Sequence, residues 1–296
     1  MKYRRLGKTE MQVSVVGIGA WQFGGEWGRE YTISEVKAIL ERGQQEGINL
    51  IDTAECYGDH TSERLIGESL PGKRENWIIA SKFGHQFHKN FSRTDRFDPA
   101  SVQHQLEESL KSLKTDYIDL YQFHSGPDSV FDNQELWTML DKQKQAGKIR
   151  HLGISIGSNT NIHQTRSAPD VGASAIQVVY NRLDRAPEEE VFPACQELDL
   201  GVLARVPLAS GFLSGKYKPG DTFDNPNDVR SLRDAEKTKA TLQEVKKIQK
   251  EEVPEGVDMA SWSLAWCLRH PAVTTVIPGC KNPEQVSSNA NAVNLL

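Results

Sequence analysis

Cysteine is scarce in this chain. Cys56, Cys195, Cys267 and Cys280 are scattered through 296 positions and form no C-x-x-C pair. That usage fits a reducing, cytoplasmic compartment rather than a disulfide framework. Long apolar runs are missing as well. No window approaches the ~20 apolar residues of a membrane span, and the short run before Trp21 is broken by Gly17 and Gly19, which reads as a strand and not a secretory leader. Positive charge never gathers. The 35 Lys and Arg alternate with 40 Asp and Glu for a net charge of −5, so neither a nucleic acid nor an anionic membrane is an expected partner. Internal repeats and low-complexity tracts are absent too.

What the chain does have is enough hydrophobic residue, 38%, to fill a large core. Eight β-type runs alternate with helical patterns: Val15–Gly19, Asn49–Asp52, Trp77–Lys82, Tyr117–His124, His151–Ser155, Ala175–Tyr180, Gly201–Arg205 and Thr274–Ile277. Thr32 and Glu35 make a capping box before an apolar helical stripe. Asp98-Pro99 places an N-cap and a first-turn proline ahead of Val102, Leu106, Leu110 and Leu113. Leu136, Trp137 and Leu140 mark a further helix that Gly147 can close. The alternation, with no break in composition, predicts one α/β domain over residues 1–296, a (β/α)8 barrel. A doubly wound open sheet is the competing architecture. It is weakened by Gly17-Ile-Gly19-Ala-Trp-Gln22, which lacks the third glycine of the dinucleotide fingerprint. Segments 3–6 and 11–13 read as a hairpin plugging the barrel bottom. Two long connections, Phe83 to Phe97 and Pro207 to about Leu232, follow strand C-termini, the face that carries function in barrels.

Polar residues collect where those strands end: Asp52, Lys82, His124, Ser155, Gln177 and Arg205. The C-termini of parallel barrel strands converge on one mouth, so these groups become neighbours. A lysine following Trp77-Ile-Ile-Ala80 is costly to bury alone, and Asp52 one strand away can compensate it. Tyr57, five residues past Asp52, can fold back over the pair. A phenol near pKa 10 is a poor acid at neutral pH. An ammonium ~4 Å away favours the phenolate by up to ~4 kcal/mol at an effective dielectric near 20, so Lys82 is expected to draw the Tyr57 pKa down. His124 can orient a substrate oxygen. Singly each residue has an ordinary structural reading; four suitable groups on adjacent strand ends point to proton transfer onto a carbonyl.

In these motifs the sequence resembles the aldo-keto reductase family: Gly17-Ile-Gly19-Ala20-Trp21, Asp52-Thr-Ala-Glu-Cys-Tyr57-Gly58 with Ser62-Glu63-Arg64, Ser81-Lys82, Gln122-Phe-His124 and Ile277-Pro-Gly279. The resemblance covers nearly the whole chain. It implies reduction of a small-molecule carbonyl by direct hydride transfer from NADP(H), with Tyr57 as general acid, Lys82 lowering its pKa, Asp52 holding Lys82 and His124 orienting the carbonyl. It further implies a cofactor path. Gly19, Ala20, Trp21 and Asp52 lie by the nicotinamide, whose amide meets Ser155 and Gln177 and whose ring stacks on Arg205. The pyrophosphate runs along Pro207, Leu208, Ser210, Gly211, Leu213 and Lys216. The adenosine 2′-phosphate falls on Gly279, Lys281, Asn282 and Gln285, with Asn289 near adenine and Arg230 as the next cationic candidate.

The sequence also departs from the family pattern. Ile156 follows Ser155 where Asn is frequent, Arg205 replaces a Tyr, and Gln285 stands where many relatives carry Arg. Ser125 stands where Trp is common, which is expected to open one wall of the substrate pocket. His85 and His88 have no third ligand nearby, so no metal is expected. Cys56 reads as a small packed thiol. Two rival readings keep the barrel: a Schiff-base lysine at position 82, and a redox-sensing NADPH-binding module with slow turnover. The oligomeric state and the physiological substrate are not encoded in these motifs.

Overall fold

In the computed structural model, which describes residues 1–70, 74–89 and 91–296, the chain opens with an antiparallel hairpin of β1 (Tyr3–Arg5) and β2 (Gln12–Ser14). Then come β3 (Ile18–Gly19), β4 (Leu50–Asp52), β5 (Ile78–Phe83), a second hairpin of β6 (His85–Phe87) and β7 (Arg93–Asp95), β8 (Ile118–His124), β9 (Ile149–Ser155), β10 (Ala173–Val179), β11 (Gly201–Arg205) and β12 (Thr275–Val276). Apart from the two hairpins, the strands form one eight-stranded parallel sheet. Its outer strands meet. Val16 bridges Val276 and Gly19 bridges Gly279 in parallel, and Gly17 N–H donates to the Val276 carbonyl at 2.8 Å. The sheet therefore closes into a (β/α)8 barrel with helices outside. A Cβ on Gly19 would sit 2.6 Å from the Ile277 carbonyl oxygen, so the seam requires glycine there.

The layering follows from the two-residue period of a strand. Leu50, Ala80, Leu120, Ala175 and Leu203 face inward and pack against Leu6, Val13 and Ile277, so the first hairpin seals the barrel floor. The opposite faces, with Ile51, Ile79, Tyr121, Ile154, Ile176 and Val202, join a separate, larger core under the helices. One pleat further toward the strand C-termini, the inward column changes character to Asp52, Lys82, Gln122, Gln177 and Arg205. The barrel is dry below and polar at its mouth. The helix signals lie where expected: Thr32 and Glu35 close a capping box on helix Ile33–Gln45, and Asp98 caps helix Pro99–Leu113 by accepting from Ser101 N–H. Among the described residues, no helix is long and apolar enough to cross a membrane.

The strand boundaries shift by a few residues, most at the seam. There the expected runs 15–19 and 274–277 reduce to two-residue strands flanked by isolated bridges. The long connection after β5 is not irregular. It holds β6 and β7, which pair His85 with Asp95 and Phe87 with Arg93.

Candidate active site

Lys82 is fully buried at the centre of the mouth, and all three of its ammonium hydrogens have acceptors. Nζ donates to Asp52 Oδ1 at 2.7 Å, to the Thr53 carbonyl at 2.8 Å and to Tyr57 Oη at 3.1 Å. Tyr57 thus accepts from Lys82, and its own proton is left for the cavity it borders. The second Asp52 oxygen accepts from Gln177 Nε2 at 2.7 Å and Gln122 Nε2 at 3.2 Å, and Gln177 also donates to Gln122 Oε1 at 3.1 Å. Gln122 stands in the Gln122-Phe-His124 motif but is given no role there. Its signal was there, since it stands two residues before His124 on the same strand face.

A close chain crossing places Tyr57. A Cβ on Gly24 would lie 2.6 Å from the Tyr57 carbonyl carbon. One on Gly58, whose φ is +65°, would lie 2.3 Å from the Gly24 carbonyl oxygen. Glycine at both positions lets the Trp21–Gly24 turn lie against the loop that carries Tyr57, where the Trp21 ring stacks on Tyr57 with centroids 5.9 Å apart.

The electrostatics correct one expectation. Burial pushes the Tyr57 phenol up to about 12, and the downward pull of Lys82 does not outweigh it, because Asp52 and Cys56 add to the upward shift. On Lys82 burial opposes the charge most. Asp52 and Tyr57 together outweigh it, so its pKa is raised. His124 is held well below the usual imidazole range by burial and then by Lys82, His85, Arg205 and Arg93. It is a neutral ring with Cys56 Sγ 3.7 Å from Nδ1.

A cavity of about 560 Å³ runs from these groups across the barrel mouth. Gly19, Ala20, Trp21, Asp52, Tyr57, His124, Gln177 and Arg205 border its inner end, Pro207, Leu208, Ser210, Gly211, Lys216 and Arg230 its middle, and Gly279, Lys281, Gln285 and Asn289 its outer end. Ser155 lies just behind, fully buried, its hydroxyl without a hydrogen-bond partner. Arg205 donates only to the Ile156 carbonyl, at 3.2 Å, and its Nε has no partner. Consecutive left-handed residues Ala209, Ser210 and Gly211 (φ 48°, 61° and 92°) turn the loop back on itself, with the Ala209 and Gly211 N–H groups donating to the Val206 and Leu208 carbonyls at 2.9 Å each. Leu213 behaves differently: its side chain is buried among Leu242, Val245 and Met259, and its N–H donates to the Leu208 carbonyl.

The outer end separates the cationic candidates. Arg230 is buried and forked onto Asp228, with Nε–Oδ1 at 2.9 Å and Nη2–Oδ2 at 2.6 Å, and it donates to Tyr217 Oη at 2.7 Å. It is already paired. Lys281 is half-buried and makes no ion pair among the described residues; burial, then Arg230, lowers its pKa. Asn282 caps helix Pro283–Ala290 by accepting from Gln285 N–H at 2.9 Å, and Gln285 Oε1 accepts from Lys281 N–H at 2.8 Å.

Three further features of the wall were missed or misplaced. Ser125 does not border the cavity; its backbone is left-handed and its hydroxyl turns to the Ser155 carbonyl at 3.3 Å. The wall is made instead by Trp21, Trp27, His85 and Arg93. Glu26 braces it, accepting from Trp21 Nε1 and from Arg93 Nη2, each at 2.7 Å. Arg93 lies on β7, whose pairing carries no apolar alternation to announce it. His88 turns to Thr94 and His85 to Asp95, while polar atoms of Glu55, Cys56 and His124 lie within 4.8 Å of one another. Neither Glu55 nor Cys56 opens to the cavity, so the trio forms a packed wall behind the imidazole.

Comparison with known proteins decides the family. The model of the aldo/keto reductase family matches residues 15–296. The chain belongs to the aldo/keto reductase family. An uncharacterized oxidoreductase, YqkF, from Bacillus subtilis is 32% identical over 99% of this chain and 92% of its own length. The holo form of aldo-keto reductase AKR11C1 from Bacillus halodurans superposes with a TM-score of 0.82 at 31% identity, covering 99% of this chain and 91% of that one. The glycerol dehydrogenase AKR11B4 from Gluconobacter oxydans gives the same TM-score at 29% identity, over 98% and 90%. The protein is thus an oxidoreductase of a carbonyl-reducing family that generally binds a nicotinamide cofactor.

Proposed function

We propose that this aldo/keto reductase reduces an aldehyde or ketone to an alcohol with NADPH, Tyr57 being the proton donor. The observation that carries this is the Lys82 ammonium, whose three hydrogens are all engaged, so that the Tyr57 proton is the one directed into the cavity. The cavity suits an extended dinucleotide. It has a fully buried hydroxyl on Ser155 just behind its inner end, unpartnered among the described residues, a left-handed backbone turn at Ala209–Gly211 in the middle and Lys281, a cation without an ion pair among the described residues, at the outer end. In this reading Ser155, Gln177 and Arg205 hold the nicotinamide, Pro207–Lys216 the pyrophosphate, and Lys281, Asn282, Gln285 and Asn289 the adenosine phosphate. Once bound there, the reduced nicotinamide would supply a hydride to the carbonyl carbon.

The protein's own part is acid–base chemistry. Neutral His124 donates a hydrogen bond to the carbonyl oxygen and sets its angle to Tyr57. As negative charge develops on that oxygen, the Tyr57 Oη–H bond breaks and the proton passes to it. Lys82 stabilises the phenolate left behind through the contact it already makes, a form of preorganised stabilisation. Asp52, held by Gln122 and Gln177, keeps Lys82 in place.

Tyr57→Phe tests the reading. Removing the hydroxyl should leave the fold and NADPH binding intact and lower kcat by ~100-fold or more, followed as NADPH oxidation against a panel of aldehydes, quinones, ketosteroids and sugar carbonyls. Turnover equal to the wild type would take Tyr57 out of the mechanism. A wild type that binds NADPH yet reduces nothing on the panel would favour the sensing module over the enzyme.

A further inference from the structure

The inner end of the cavity carries one positive charge that touches no carboxylate among the described residues. Lys82 is matched by Asp52 at 2.7 Å and Arg93 by Glu26 at 2.7 Å, and His124 is neutral. Arg205 ends β11 at the same place and makes no salt bridge with any carboxylate among the described residues. Its single hydrogen bond goes to a backbone carbonyl and its Nε has none. The acids that act on it are Asp52, already held by Lys82, and Asp184, which accepts from Asn159 Nδ2 at 2.6 Å. A guanidinium stays charged under all these conditions.

We infer that Arg205 sets the redox preference of the bound cofactor: its charge, which has no direct ion-pair partner among the described residues, disfavours the cationic oxidised nicotinamide relative to the neutral reduced one, so the protein binds NADPH more tightly than NADP+. The inference rests on the functional reading above, which brings the nicotinamide to this end. Bound as proposed, the cofactor would give its hydride to the carbonyl carbon while the Tyr57 proton goes to the oxygen, and the nicotinamide would become cationic at the end of the cavity that Arg205 borders. While Tyr57 is a phenolate the two new charges offset each other. Once solvent returns its proton, the like charges of the oxidised nicotinamide and Arg205 would favour loss of the oxidised cofactor. At contact distances and an effective dielectric near 20, one unit charge accounts for a preference of roughly tenfold or more. Tyrosine, whose place Arg205 takes in the family pattern, has no such charge.

The test is the ratio of dissociation constants for NADPH and NADP+, measured by isothermal titration calorimetry at fixed ionic strength. The wild type should bind NADPH roughly tenfold or more tightly than NADP+; an equal or reversed preference overturns the inference without any variant. Arg205→Gln keeps planar hydrogen bonding but removes the charge, and it should bring the ratio close to one. Arg205→Lys should keep most of it. If Gln weakens both forms equally and leaves the ratio intact, Arg205 is a positioning residue only and the redox role is wrong. If the wild type binds neither dinucleotide, the functional reading itself falls, an outcome distinct from an unchanged ratio.

Discussion

Lys82 lies at the point where burial, ion pairing and acid strength meet, and substituting it separates them. Lys82→Met removes the counter-charge of a buried aspartate and the ammonium that pulls the Tyr57 pKa down. Turnover should fall at least as far as in Tyr57→Phe, and stability should drop by ~3–5 kcal/mol; retained activity with an unchanged pH profile would reject the assignment. Glu55 offers a second residue-scale test. Burial raises its carboxyl from 4.5 to about 8, so the folded state favours the protonated acid. Its stabilising contribution is complete below 4.5 and is lost as pH rises toward 8. Glu55→Gln, whose amide oxygen can still accept from His85 N–H, should flatten that decline in thermal melts across the window. At the outer end, Lys281→Ala should weaken NADPH by roughly ten- to a hundred-fold and leave NADH nearly unchanged. Because Arg230 is committed to Asp228, no second cation should take over, and equal losses for both cofactors would move the phosphate site elsewhere. At this scale the strand-end residues were legible, since period and position alone bring Asp52, Tyr57, Lys82 and His124 to one mouth. The direction of the Tyr57 shift was not, because desolvation is a property of everything packed around the ring. Nor was the turning away of Ser125, which depends on its own left-handed backbone.

Elements were readable where a local rule decides them. The Thr32–Glu35 box and the Asp98 cap are satisfied within four residues of chain, so the sequence contains all of each interaction. Asp98→Ala should therefore cost ~1 kcal/mol, read as a lower midpoint in chemical denaturation with cofactor affinity untouched. Where pairing is decided by distant partners, the sequence was silent. β6 and β7 are polar strands of three residues without the alternation that marks a half-buried strand, and they read as a loop. Their consequence lies at the candidate site, because this hairpin brings Arg93 to Glu26 and to the Cys56 carbonyl and so builds the wall beside Tyr57. The pocket is therefore bounded on this side by Arg93 and indole rings and not by Ser125.

At the scale of the whole molecule, the (β/α)8 architecture was legible from the alternation of eight runs with helices, and the hairpin's role as a floor followed from its place ahead of the first barrel strand. Leu6 is fully buried in that floor. Leu6→Ala should cost ~2–5 kcal/mol while leaving catalytic constants near wild type, since the floor and the mouth are separate layers; a matching loss of turnover would show that the layers are coupled. The seam between β3 and β12 carries a different consequence, one of timing. Val16 can find Val276 only after nearly the entire chain exists, so the contact that completes the barrel is also among the most distant in sequence, a topology that folds slowly. During synthesis the first strand emerges early and waits with an unpaired edge, the situation in which chains aggregate. With only two residues in regular pairing, that waiting edge offers a neighbouring chain little to join.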